Sequence, residues 1–243
     1  MLHGYHLQQD LVQNASWMQC MLLSVTGKLY PQNVASLVEA LFVVTGYPDP
    51  RLWCNRVAAL AGSSQCTAAA SIATSISSAE GMVYGGQAIY KAAVFLQRAY
   101  IQLYEDGENA LKRLLDDALC QNNTIFGFGR PLTRMEERIP PIREMAFSLD
   151  LCEGNHCLVT SKIESYFQAQ SKQIILNYGG YVAAWLLDLG FTPVQIYHIQ
   201  TLLFYNGIFP CYIEAFENEQ GTFLPIACED ILYEGRQERE LPV

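Results

Sequence analysis

The sequence predicts an all-α protein. Apolar residues recur at helical spacing, convincing strand alternation is absent, and glycines and prolines fall where the apolar stripes stop. Val34, Leu37, Val38, Leu41 and Phe42 form the first stripe at i, i+3, i+4, i+7 and i+8. Ile89, Ala93, Leu96, Tyr100 and Leu103 form a second. Leu111, Leu114, Leu115, Ala118 and Leu119 form a third, and Val182, Trp185, Leu186 and Leu189 a fourth. Each reads as a core face rather than a site.

The ends follow in order. Gly27 closes the first long helix and Pro31 lies past it. Tyr47-Pro-Asp-Pro50 is a rigid turn, because each proline fixes its own φ and biases the residue before it. Ala61 to Ser78 is rich in small residues and predicts a helix deep inside or at a subunit contact. Glu80-Gly-Met-Val-Tyr-Gly-Gly-Gln87 breaks it. Asp106-Gly107 turns into a helix over 108–120, and Pro140-Pro141 starts another. Asn177-Tyr-Gly-Gly180 opens the Val182–Leu189 helix, which Gly190 ends before Pro193. The polar tail from Asn218 reads as an extended arm.

The 243 residues suffice for one large domain or two unequal lobes, and 51% hydrophobic against 16% charged residues predicts a sizeable core. A net charge of -9 argues against a nucleic-acid partner, whose phosphates require clustered Lys and Arg. Eight cysteines show no CxxC pair or disulfide framework. Cys152, His156 and Cys157 are soft ligands without an evident fourth, so no metal is expected. Neither a signal peptide nor an eighteen-residue apolar run is evident, which fits a reducing, cytoplasmic setting without membrane insertion.

Three glycine-marked breaks remain: 81–86, 127–129 and 179–180. Helical proteins place ligands where helix ends converge, since unpaired backbone groups gather there. The stretch Thr124 to Arg138 adds Arg130, Arg134 and Arg138, four residues apart and thus on one helical face. Free N–H groups and positive charge at a loop-to-helix junction suit a phosphate or carboxylate.

These breaks resemble, in order, those of the citrate synthase superfamily, and most of all its short citryl-CoA lyase-like members. His3-Gly-Tyr-His-Leu7 resembles the family's R-G-Y-x-(I/L), and Ser24-Val-Thr-Gly-Lys-Leu-Tyr-Pro31 its L-L-x-G-x-L-P. Pro50-Arg-Leu-Trp-Cys-Asn-Arg56 resembles P-S-x-x-A-A-R, and Gly81-Met-Val-Tyr-Gly-Gly86 resembles G-P-L-H-G-G. Phe126-Gly-Phe-Gly-Arg130 resembles P-G-F-G-H, Asn177-Tyr-Gly-Gly180 resembles N-V-D-G, and Tyr233-Glu-Gly235 resembles E-Y-V-G. The resemblance implies a homodimer of two-lobed helical chains: residues 1–87 with 177–243 as the large lobe, and 88–176 as the small lobe carrying a CoA loop. It implies joining or splitting of an acyl-CoA and a keto acid at a carbon–carbon bond. Gly127, Phe128 and Gly129 would cradle coenzyme A, Arg134 would take its phosphate, and Arg138 a substrate carboxylate.

The family's catalytic side chains are absent at the matching positions. Its histidine before Gly-Gly is Tyr84, its histidine after G-F-G is Arg130, and its aspartate falls on Gly179, beside Asn177. Its D-H pair lands on Thr45-Gly46, and a late substrate arginine on Ile208. A phenol with a reference pKa of about 10 is a poor base near neutrality. Tyr84 and Arg130 retain a different capacity, donation to an oxyanion and grip on a carboxylate. Tyr84, Arg130 and Asn177 are therefore the candidate catalytic positions. Two functions compete: a divergent enzyme on an acyl-CoA and a carboxylate, and a noncatalytic paralogue that binds CoA or a partner subunit.

Overall fold

The computed structural model describes residues 1–81, 85–122, 124–129, 136–219, 228–230, 232, 234 and 237. Among these the chain is helical, with two isolated antiparallel bridges, Leu2 to Tyr5 and Phe128 to Leu176. A π-turn at Leu7–Leu11 runs into a single turn, α1 (Val12–Asn14). The helices that follow are α2 (Trp17–Thr26), α3 (Gln32–Thr45), α4 (Trp53–Ser63), α5 (Ala68–Ser78) and α6 (Gly86–Asp106). Then come α7 (Glu108–Asn122), α8 (Ile139–Ser148), α9 (Asn155–Ala169) and α10 (Tyr178–Asp188). The last are α11 (Pro193–Ile199), a 3-10 turn at Gln200–Phe204, and α12 (Tyr205–Glu217). No helix among the described residues is long and apolar enough to cross a membrane.

The helix ends have local causes. Ser16 opens α2 with a capping box: its hydroxyl accepts from Gln19 N–H at 3.3 Å while the Gln19 side chain accepts from Ser16 N–H at 2.9 Å. Thr192 and Gln195 repeat the device at α11. Gly27 ends α2 at φ 74, a left-handed turn that costs a Cβ-bearing residue strain. Pro140 and Pro141 fall at the start of α8, where the missing N–H groups are not needed.

The four stripes become core faces. Val34, Leu37, Val38, Leu41 and Phe42 are buried on α3; Ile89, Ala93 and Leu96 on α6; Leu111, Leu114 and Leu115 on α7; Val182, Trp185 and Leu186 on α10. One continuous apolar cluster runs from Met18 to Tyr212 through these helices. The 21-residue α6 is its axis, packed against α7, α9, α10 and α11. Helix α10 is buried on nearly every side, and the Tyr178 hydroxyl donates to the Leu41 carbonyl at 3.0 Å to join it to α3. A second group, α4, α5 and α12, packs within itself.

The 61–78 stretch differs from the single helix expected of it. Helix α4 stops at Ser63, Gln65 adopts φ 58, and α5 begins after Thr67 caps it. Only Ser71 and Ser75 of α5 are buried, while Ala69, Ala70, Ala73, Thr74 and Ser77 face outward. Small side chains allowed close packing on one face of α5 but did not draw the whole helix inside. Most of the tail beyond Glu219 lies outside the described residues.

Candidate functional site

The second and third glycine breaks meet. Gly127 (φ +88) and Gly129 (φ +84) carry the loop after α7 across the start of α10. The Gly127 carbonyl accepts from Asn177 N–H at 2.9 Å, and Gly129 N–H donates to the Ile175 carbonyl at 2.7 Å. A Cβ at Gly180 would overlap the Gly127 carbonyl and stand 2.7 Å from its Cα. Both glycines are therefore required by a backbone-to-backbone contact. Gly129 is different, because among the described residues no atom lies within 4 Å of where its Cβ would be.

Asn177 ties the two breaks together. Its Oδ1 accepts from Gly180 N–H at 3.0 Å, capping α10, and its Nδ2 donates to the Gly129 carbonyl at 3.1 Å. A carboxamide does both because it holds a donor and an acceptor; an aspartate offers only acceptors. Asn177 is thus occupied in holding the loop. Gly179 beside it contributes no side chain, and its Cβ direction faces Ile89 Cγ1 of α6 at 3.4 Å. The first turns of α6 and α10 therefore come close.

Phe128 points inward. It is 6% exposed and packs edge-on against Phe167 at 5.9 Å between ring centroids. A ligand at this loop would meet its backbone rather than its ring. Phe126, in contrast, lies beneath the Lys91 ammonium at 4.9 Å, an arrangement worth about 0.5–1 kcal/mol where water reaches it.

Arg138 is already engaged. Its Nε and Nη2 donate to the two oxygens of Glu136 at 2.6 and 2.9 Å, and its guanidinium stacks over Tyr178 at 4.6 Å. Glu136 is nearly buried and also accepts from Tyr178 N–H at 3.1 Å, so it serves the first turn of α10. Burial pushes the Tyr178 phenol above its ordinary range. The proximity of Glu136 to Tyr178 was not legible from sequence, since 42 residues separate them. Tyr84, Arg130 and Arg134 lie outside the described residues.

The remaining candidates separate from this site. His156 Nδ1 meets Asp188 Oδ1 at 2.8 Å, and Asp188 also accepts from the backbone N–H of His156 and Cys157, capping α9. Burial alone would push the Asp188 carboxyl up, but these hydrogen bonds outweigh it and hold it below the usual carboxylate range. Burial pushes the Cys157 thiol up. No group of three or more potential metal ligands occurs among the described residues. Ile208 is fully buried. An apolar groove of about 600 Å³ lies between α6, α7 and α9, lined by Leu111, Leu115, Tyr104 and Tyr166, and none of the glycine-break residues borders it.

The fold has counterparts among solved structures. Citryl-CoA lyase from Hydrogenobacter thermophilus superposes with a TM-score of 0.84 at 23% identity, over 99% of this chain and 91% of that one. The chain has the citrate synthase fold. ATP citrate lyase from Methanothrix soehngenii, solved with citrate and coenzyme A, matches 99% of this chain with a TM-score of 0.76 at 17% identity. The citrate synthase of Thermoplasma acidophilum, solved with carboxymethyl coenzyme A and oxaloacetate, matches 94% with a TM-score of 0.68 at 18% identity. This chain spans 40% of that ATP citrate lyase chain and 59% of that citrate synthase chain. No protein-family model and no curated protein sequence matches it.

Proposed function

We propose that this chain is a divergent member of the citrate synthase superfamily that binds coenzyme A or an acyl-CoA together with a carboxylate. The observation that carries the reading is the glycine loop 127–129, held by Asn177 against the start of α10. The positive φ of Gly127 and Gly129 lets a ligand approach the backbone of the loop closely. Similarly folded proteins have been solved with coenzyme A and citrate, which supports the same ligand class here. Arg134 would take a CoA phosphate, Tyr84 a developing oxyanion and Arg130 a carboxylate. Arg138 would reach a substrate carboxylate only by sharing its guanidinium with Glu136.

The reaction class of the reading is carbon–carbon bond formation or cleavage. Thermal unfolding with CoA, acetyl-CoA, citrate and oxaloacetate tests it. A ligand at one hundred times its Kd adds about 2.7 kcal/mol to stability. Stabilisation by a CoA species is expected, and no response to any of them overturns the reading. The second reading, a noncatalytic paralogue, is favoured by Gly179, which offers no side chain for proton transfer. CoA binding without turnover of citryl-CoA would select it.

The proposed assembly is a homodimer, with residues 1–87 and 177–243 as the large lobe and 88–176 as the small lobe. The outward small residues of α5 lie in the same helix group as Phe209, Ile213 and Phe216 of α12, which are 42%, 46% and 41% exposed. Apolar side chains exposed on one helix group suit cover by a partner. A monomer by sedimentation at micromolar concentration would overturn the dimer.

A further inference from the structure

Helices α7 and α9 both pack on α6 but hardly touch one another. Long side chains bridge the gap instead. Lys162 Nζ donates to Glu108 Oε1 at 2.8 Å near one end, and the Tyr166 hydroxyl donates to Asp116 Oδ1 near the other. Glu108 and Asp116 stand eight residues apart on α7, about 12 Å along a helix. The groove of about 600 Å³ lies along these crossings, and its volume falls within the range of small-molecule sites.

Its floor is apolar and its mouth is basic. Leu111 and Leu115 are buried beneath it, while Leu158 and Tyr104 line it at 53% and 51% exposure. Large apolar side chains left to water around a concave site suit an apolar ligand. Lys112 and Lys162 line the same groove against one acid, Glu108. The hydrogen bond and charge of Lys162 hold the Glu108 carboxyl below its usual range, and the charge of Lys112 adds to them. On a chain of net charge -9, a local excess of positive charge selects an anion. Asp116 at the far crossing would repel an anionic head, so the head is directed to the lysines and the apolar body towards Ala169. The crossings also keep the occupant small, because a partner helix laid in the groove would have to break both.

We infer that the slot between α7 and α9 binds a medium-chain aliphatic carboxylate, with its carboxylate on Lys112 and Lys162 and its alkyl chain over Leu111, Leu115 and Leu158. Lys162 serves the ligand while keeping Glu108, since an ammonium has three donors. The site is separate from the glycine loop, none of whose residues borders it. It therefore stands whether or not the chain binds coenzyme A.

The test is calorimetric titration of the full chain with octanoate, butyrate and octanol. Octanoate is expected to bind at least about tenfold more tightly than butyrate, whose chain leaves the floor uncovered, and than octanol, which lacks the charge. Lys112→Ala should weaken octanoate about tenfold and leave octanol as it was. Ser165→Trp and Ala169→Trp each fill the slot from an exposed position on α9. Each should abolish octanoate binding at an unchanged unfolding temperature, and either carries the comparison if the other does not fold. Absence of octanoate binding, equal affinity for octanoate and octanol, or binding that survives both tryptophan substitutions overturns the site. An acidic amphipathic helical peptide that binds in the groove where octanoate does not would overturn it in favour of a protein partner.

Discussion

The carbonyl of Gly127 lies against the backbone of Gly180, so closely that neither residue has room for a side chain between them. Loop and helix are locked by this contact. Gly180→Ala would force the two backbones apart. Overpacking of this kind costs about 1–3 kcal/mol. Denaturant unfolding should show that loss, with CoA-induced stabilisation reduced alongside it, whereas Gly190→Ala should affect stability through its φ alone and spare ligand binding.

Asn177 separates capping from loop anchoring. Asn177→Asp keeps an acceptor for Gly180 N–H but sets a carboxylate against the Gly129 carbonyl. Asn177→Ala loses both bonds, and cap removal alone costs about 1 kcal/mol. Hydrogen exchange should report faster opening at Gly129 N–H in both variants, and at Gly180 N–H only in the alanine variant.

Glu136 and Arg138 should prove unequal partners. Glu136→Ala strands the Tyr178 N–H and leaves the guanidinium over Tyr178 without its carboxylate. Removing one member of a largely buried pair costs about 3–5 kcal/mol in fully enclosed sites, and the partial exposure of Arg138 places this pair below that range. Arg138→Met should cost less, because Glu136 keeps its bond to Tyr178 N–H. A melting comparison in which Arg138→Met is the more damaging would contradict this order.

Asp188 sets an acid limit. Its carboxyl is held below the ordinary range in the folded chain, against about 3.9 unfolded. A depressed folded value means the contribution is complete above the unfolded pKa and is lost as pH falls through the folded one. Wild-type stability should therefore fall as pH drops below about 4. Asp188→Asn should be less stable at neutral pH and flatter across that acid window in urea titrations.

Much of this was legible in the residues. The four apolar stripes are core faces because a 3.6-residue period leaves one side of a helix without polar groups. Gly27, Gly107 and Gly190 mark helix ends, where they adopt positive φ. The 61–78 stretch gave no signal of its break between Ser63 and Ala68, because small residues suit both helix and turn, and α5 keeps one face outward. The pairings of Asp188 with His156, Glu136 with Tyr178, and Glu80 with Tyr197 join residues 32 to 117 positions apart. Nothing in local pattern announces such pairs.

What the sequence by itself determined is the helical class, many of the helix ends and the glycine loop at 127–129, because backbone preference and apolar period are local properties. Only the tertiary structure decided which breaks meet. It turned Phe128 inward, occupied Arg138 with Glu136, and brought Gln200 beside Gly86 and Glu80. Those outcomes depend on how α6 and α10 pack across the shared core, and packing selects partners by shape and by unsatisfied hydrogen bonds rather than by separation along the chain.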